Sequence, residues 1–477
     1  MKRFPLHPLF PIALCCALFL LATGCGQTSR PCADAQDCPA SDLLSVVAIS
    51  RHGIRSPIPS QATMNSYTQQ PQGFPLWPAP ADIPGQLSNK GLQNATLLGA
   101  WYRDFYAAQG LLPAAGACPA AGSVFVWADG GFQRTLQTAQ GYIDGMFGSE
   151  NPAGCGIQVQ QSATLPDPYI DTAAAGVCAI DTAKDLTAFN DRVVTPRLLI
   201  ERYAAQLQEL QTVTHCCQLS ACVTPANPNP TSCSLLDLPT TVNTTGEVGF
   251  ANGTVFGVAD NVSEMFELEY GQGMPDANCA NTSGAACVGW GAIPADGIFD
   301  MSKLHVENMV NLTCQLPSFA QVGSTNLMSQ VVGTMDQNLT GVPDDSVLAP
   351  AESTFTLFVA HDENISAIAG FLGGLSWKAG GFQQNDPGPA GALVFELHRI
   401  KQSGKLIVRA FYVVATLDQM RAGTVLTLQT PPDRIPLRIP KCDYLFDCPY
   451  DRFKSFVTSH VRQDCLVSAP SMAARRR

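Results

Sequence analysis

The chain has 477 residues, 46% of them hydrophobic and 14% charged, with a formal net charge of −11. That is enough apolar sequence for a sizeable core and, by length, for roughly two or three domains. The acidic balance excludes a partner such as nucleic acid that is held by bulk positive charge, so an anionic substrate needs a local group of arginines.

Residues 1–24 read as a signal peptide. Lys2 and Arg3 give a positive start, and Leu9 to Ala22 an apolar stretch too short to span a bilayer comfortably. The run Leu21-Ala22-Thr23-Gly24-Cys25 then resembles a bacterial lipoprotein signal, although Ala22 replaces the more usual leucine. This implies lipidation of Cys25, a tether over residues 25–41, and export to the periplasm or cell surface, with an outer-membrane lipid as the sole membrane contact. The alternative is an ordinary signal peptide with Cys25 unmodified or disulfide-bonded. No later stretch is long and apolar enough for a transmembrane helix.

The chain has 18 cysteines. Cys15 and Cys16 fall in the signal and Cys25 at the lipid site, which leaves an odd number. In an exported chain such density reads as a disulfide framework rather than a zinc site, although Cys216-Cys217 and Cys222 tempt the second reading. An odd count leaves one thiol free or bonded to another molecule. Cys314, in an apolar helix-like segment, is the expected free one, as a small core residue.

From there the pattern predicts a strand over 43–50, an irregular excursion over 56–86 and a helix over 88–106 with Leu92, Leu98, Trp101, Tyr102 and Phe105 on its apolar face. A short strand follows at 123–127, with Arg134 in the loop or helix start beyond it. Residues 185–210 read as a helix, 216–253 as a loop or cap, and 262–270 and 301–332 as further helices. Strands return at 354–360, 392–398 and 406–415. Strands at both ends with helices between them predict an α/β fold. A central mixed sheet flanked by helices is expected over 42–160 and 320–465, with a mainly helical cap inserted at 161–319 and a tail at 466–477.

Two polar clusters each follow an apolar, β-prone run. Arg51-His52-Gly53-Ile54-Arg55-Ser56-Pro57 follows Leu43 to Ile49, and His361-Asp362-Glu363-Asn364 follows Phe355 to Val359. Strands ending this way bring the clusters together at one edge of a sheet. A neutral imidazole attacks phosphorus directly and splits a transfer into two easier steps. Arg51 and Arg55 flank His52, and guanidiniums match phosphate oxygens with forked hydrogen bonds. Asp362 is suited to protonate a leaving alcohol and then activate water. It also stands where a helix cap is expected.

These residues resemble the histidine acid phosphatases, the larger branch of the histidine phosphatase superfamily, from about Asp42 to Cys465. The signature Arg-His-Gly-x-Arg-x-Pro covers Arg51 to Pro57, and the late His-Asp pair is His361-Asp362. Ala128-Asp129 with Arg134-Thr135 resembles the family segment that carries a third phosphate-binding arginine. Gly176-Val177-Cys178, Gln272-Gly273-Met274-Pro275 and Asp418-Gln419-Met420-Arg421 resemble segments of periplasmic phytases and glucose-1-phosphatases. The resemblance implies His52 as nucleophile, Asp362 as proton donor, and Arg51, Arg55, Arg134 and His361 around the phosphoryl group, with no metal or cofactor. It also implies disulfides Cys118–Cys155, Cys178–Cys465 and Cys442–Cys448. Two more bonds are expected among Cys216, Cys217, Cys222 and Cys233, and proximity alone suggests Cys32–Cys38 and Cys279–Cys287.

Departures from the family bear on the substrate. Ile58 and Pro59 stand where periplasmic phytases carry a threonine and a lysine, and Glu363 stands where threonine is common. The pocket mouth thus loses a hydroxyl and a positive charge and gains a negative one, which disfavours highly anionic substrates. Glu363 is also expected to raise the pKa of Asp362 if the two are close. Ile58, Glu264, His305, Glu363 and Asn364 are the candidate substrate contacts. The expected activity is hydrolysis of small phosphomonoesters, with no protein partner. The alternatives are a phytase or glucose-1-phosphatase on the same chemistry, and an inactive surface lipoprotein that binds phosphorylated ligands.

Overall fold

The strand that delivers Arg51 owes its place to an unbroken apolar run. The computed structural model describes residues 39–148, 153–225, 227–274, 289, 291, 293, 295–443 and 445–468. In chain order it begins with β1 (Ser41–Arg51), α1 (Gln61–Ser66), α2 (Asn89–Ala108), β2 (Val124–Ala128), α3 (Gln133–Phe147) and β3 (Val159–Gln160). Then come α4 (Thr182–Val193), α5 (Pro196–Arg202), α6 (Ala204–Thr214), the small pair β4 (Val242–Asn243) and β5 (Gly249–Phe250), α7 (Val255–Gln272) and α8 (Ala295–His305). The chain closes through α9 (Pro317–Thr340), β6 (Phe355–Ala360), α10 (Asp362–Phe371), β7 (Ala392–Ile400), β8 (Leu406–Val414), α11 (Leu417–Ala422), β9 (Asp433–Leu437), β10 (Cys448–Pro449) and α12 (Tyr450–His460).

The main sheet runs β10-β8-β7-β1-β6-β2-β3, with β9 also on β8. β1, β6, β2 and β3 are parallel neighbours, and β7 to β10 add antiparallel. Every residue of β6, and β1 from Ser45 onward, is buried. Burial without alternation marks strands covered on both faces. Phe355 and Phe358 are fully enclosed, and truncating either to alanine would cost about 3–5 kcal/mol. The fold is therefore mixed α/β with helices flanking a central sheet, and the described residues from Pro39 onward make one compact unit.

Helix boundaries depart from expectation where proline and side-chain caps intervene. The segment expected as one helix over 185–210 is three, because Pro196 cannot continue α4 and instead opens α5, with Thr195 capping Leu198 N–H. The helix expected over 301–332 is likewise interrupted. α8 gives way to a wider, π-type coil over Val306–Cys314, and Pro317 restarts the chain as α9. The excursion over 56–86 contains α1, capped by Ser60. α3, foreseen only as a helix start, packs on α2. A Cβ at Gly99 or Gly145 would run into the facing backbone at Tyr142 and Thr96, so glycine sets this close approach.

Disulfides join Cys118–Cys155, Cys178–Cys465, Cys216–Cys217, Cys222–Cys233 and Cys442–Cys448, and Cys314 is free and buried. Cys32–Cys38 and Cys279–Cys287, like the signal and Cys25, lie outside the described residues. Among those residues no helix is long and apolar enough to cross a membrane.

Candidate active site

β1 and β6 lie side by side in parallel, with Arg51 in register with Ala360. His52 and His361 therefore leave the sheet at the same level, and His52 N–H donates to Ala360 O at 3.0 Å. Their rings lie 5.6 Å apart, close to edge-on. β2, on the other side of β6, brings Asp129 to the same rim, with its N–H on Val359 O at 3.1 Å. The carboxyl ends of parallel strands are where α/β sheets gather ligands.

His52 is buried, and its Nδ1 lies 2.9 Å from Gly53 O. A carbonyl only accepts, so Nδ1 carries the proton and Nε2 keeps its lone pair. Burial, followed by the charges of Arg134, Arg51 and Arg55, holds this imidazole well below its usual pKa. The ring is neutral and nucleophilic.

Arg51 donates through Nη1 to Pro387 O at 2.8 Å, while Nη2 faces Glu264 Oε1 at 2.5 Å and Asp362 Oδ2 at 2.8 Å. Arg55 Nη2 donates to both Glu264 oxygens, at 2.8 and 3.0 Å. Glu264, on α7, thus ties together two guanidiniums that would otherwise repel. Burial works to raise its carboxyl, but Arg55 and Arg51 outweigh that and set it below the usual range. Arg134 lies in the first turn of α3, its guanidinium 4.1 Å from the Phe132 ring centre. Burial and Arg55 bring its pKa down to about 10, which leaves it cationic at neutral pH. His305 Nδ1 sits 2.6 Å from Asp260 Oδ1. Burial lowers this histidine, but the bond to Asp260 and the charges of Asp260, Glu264 and Asp386 prevail, pushing it up to about 10.

Asp362 is the first residue of α10, while His361 takes the cap position. Burial alone would raise the Asp362 carboxyl. The charges of Arg51, Arg55 and His305 pull it well below the usual range instead. The expected lift from Glu363 is therefore overturned, because the nearby cations outweigh one neighbouring carboxylate. Glu363 is the group that moves up, to about 8, through burial among the cleft walls and the charge of Asp362. Its side chain is exposed at the cleft.

His361 Nε2 lies 2.8 Å from Asp129 Oδ2. That nitrogen is committed, so a phosphoryl contact would have to come from Nδ1. Asp171 is raised to about 7 by burial and by Asp129, with which it shares a hydrogen bond. Among the described residues, Asp129, Asp171 and His361 form the group that could hold a metal ion, with ligating atoms within 4.8 Å of one another. Asp129 accepts from Asp171, His361 and the Gly131 N–H.

A cavity of about 670 Å³ opens above these groups, walled by Arg55, Ile58, Pro59, Glu264, His305, Asp362 and Glu363 among others. Ile58 stands exposed at its mouth. Asn364 lines an adjoining cavity rather than this one. Its Nδ2 donates to Ile170 O at 3.0 Å and its Oδ1 accepts from His361 N–H at 3.1 Å, so both ends brace backbone. Asp129 went unassigned in the sequence although it follows β2 as His52 follows β1, a usable signal. Asp171, Glu247 and Asp260 had no such signal.

The model of the histidine phosphatase superfamily (branch 2) matches residues 42–222. Phytase AppA of Escherichia coli is 30% identical over 416 residues, covering 86% of this chain and 89% of the relative. Glucose-1-phosphatase of Salmonella typhimurium is 27% identical over 428 residues, covering 87% and 92%. The solved structure of Hafnia alvei phytase in complex with myo-inositol hexakis sulphate matches with a TM-score of 0.75 at 28% identity, over 90% of this chain and 100% of that one.

Proposed function

Because this chain belongs to the histidine phosphatase superfamily (branch 2), we propose that it hydrolyses small phosphate monoesters through a phosphoryl group carried on His52. Nε2 of His52 attacks phosphorus as the bond to the alcohol oxygen breaks, and Asp362 gives its proton to that oxygen. Water then attacks the phosphohistidine, Asp362 takes a proton from it, and phosphate leaves with His52 restored. Arg51, Arg55 and Arg134 hold the phosphoryl oxygens. A bound dianion offsets the guanidinium charge that keeps Asp362 ionised, so Asp362 gains its proton when the substrate arrives. The observation that carries this reading is the neutral His52 ring, its Nε2 unprotonated, set among Arg51, Arg55 and Arg134.

A phytase or glucose-1-phosphatase on the same chemistry is the second reading, and the similarity to relatives bearing those names favours it. An inactive ligand-binding lipoprotein is third, and the presence of both His52 and Asp362 weighs against it. The reading also has the protein exported, which the disulfides support, and Cys25 lipidated in the outer membrane.

Rapid acid-free quenching with labelled phenyl phosphate should place an acid-labile phosphoryl group on His52, and His52→Ala should abolish turnover with the fold retained. A label on serine or aspartate would overturn the assignment.

A further inference from the structure

A second cavity, about 720 Å³, adjoins the catalytic cleft, and the two share Asn243, Glu247 and Glu363 in their walls. Asp362 opens α10, and Glu363, Asn364 and Ala367 of that same helix line the second cavity. Positions 363 and 367 are one helical turn apart and so share a face. The opposite wall is Phe319, Val322 and Gly323 of α9, and the rim is the loop of Ala173 and Ala174 and the β4–β5 turn at Thr244 and Thr245. The volume is in the range of roughly 300–1,000 Å³ that encloses small organic ligands. Among the described residues no lysine, arginine or histidine lines it, and its ionisable walls are Asp171, Glu247 and Glu363.

We infer that this chamber is a leaving-group subsite, which receives the organic part of the phosphomonoester and selects an unphosphorylated polyhydroxy body of sugar or nucleoside size. This rests on the reading of His52 and Asp362 given above. Aliphatic walls and Phe319 can cover a ring face, while carboxyls and the Thr244 and Thr245 hydroxyls can exchange hydrogen bonds with ring hydroxyls. A second phosphate carried on that body would find no cation in these walls to balance it, so its desolvation costs binding whatever the first phosphate gains.

The test compares kcat/KM for phenyl phosphate, glucose 1-phosphate, a nucleoside 5′-monophosphate and glucose 1,6-bisphosphate. Ala174→Trp and Thr245→Trp narrow the chamber from two separate exposed rims, so one poorly folding variant does not decide the outcome. Either should lower kcat/KM for the sugar or nucleoside ester by about tenfold relative to phenyl phosphate, and whichever ester falls further identifies the body that the chamber holds. Glu247→Lys should raise the bisphosphate relative to glucose 1-phosphate by about fivefold. Unchanged ratios in both tryptophan variants, or a wild-type preference for the bisphosphate, would overturn the subsite while phenyl phosphate turnover left the catalytic reading standing. Absence of phenyl phosphate turnover would remove both.

Discussion

Arg51 Nη2 lies 2.8 Å from Asp362 Oδ2, so the proposed phosphate ligand and the proposed proton donor are paired with each other. The pair keeps Asp362 ionised until an anion competes for the guanidinium, which links binding of the phosphoryl group to arming of the acid.

The leaving group should therefore reveal Asp362. Asp362→Asn is expected to slow alkyl esters by about 100-fold or more and aryl esters, whose leaving oxygen needs little protonation, by about tenfold or less. Steady-state kcat for a matched alkyl and aryl pair decides it, and equal slowing of both would assign the proton elsewhere. Activity should survive chelators in the same assay, since arginines supply the positive charge.

The bridge between Arg51 and Arg55 gives a second expectation. Glu264→Gln removes the charge that holds both guanidiniums and should lower kcat/KM for phenyl phosphate by about 10- to 100-fold through misplacement. The Glu264 carboxyl has a folded pKa below its unfolded value. Its contribution to stability is thus present above the ordinary glutamate range and lost as pH falls through the folded pKa. Acid melts should accordingly show a shallower loss of stability in the variant than in the wild type.

His305 runs the opposite way. Its pKa, raised to about 10, means that its contribution is complete below the unfolded value near 6.5 and lost as pH rises toward 10. The slope for one proton is at most about 1.4 kcal/mol per pH unit. Thermal midpoints of the wild type should fall between neutral and alkaline pH more steeply than those of His305→Asn, and parallel curves would exclude the charged pair with Asp260.

Ile58 and Pro59, which stand where a hydroxyl and a positive charge were expected, set the expectation for polyanions. kcat/KM for simple aryl or sugar monoesters should exceed that for phytate at acid pH, and Ile58→Thr with Pro59→Lys should narrow the gap. A clear preference for phytate in the unmodified protein would refute this specificity argument while leaving the chemistry intact.

The motif Arg51 to Pro57, the His361-Asp362 pair and the apolar runs before them were legible in the sequence because each is local, a strand pattern followed by groups of one chemical kind. The strands over 43–50, 354–360, 392–398 and 406–415 were found for the same reason, within one or two residues of their observed ends. Helix breaks at Pro196 and Pro317 were missed because apolar periodicity runs through both prolines, although each removes a donor and its ring clashes with the preceding turn, a signal the sequence does carry. Tertiary structure alone decided the rest. The register of Arg51 with Ala360 sets the two histidines level, Glu264 reaches Arg51 and Arg55 from α7, and Asp129 captures His361. The direction of the Asp362 shift followed from these placements, since Coulombic attraction depends on distances that sequence neighbours do not reveal. Glu363 is adjacent in the chain, but Arg51, more than three hundred positions away, governs the acid.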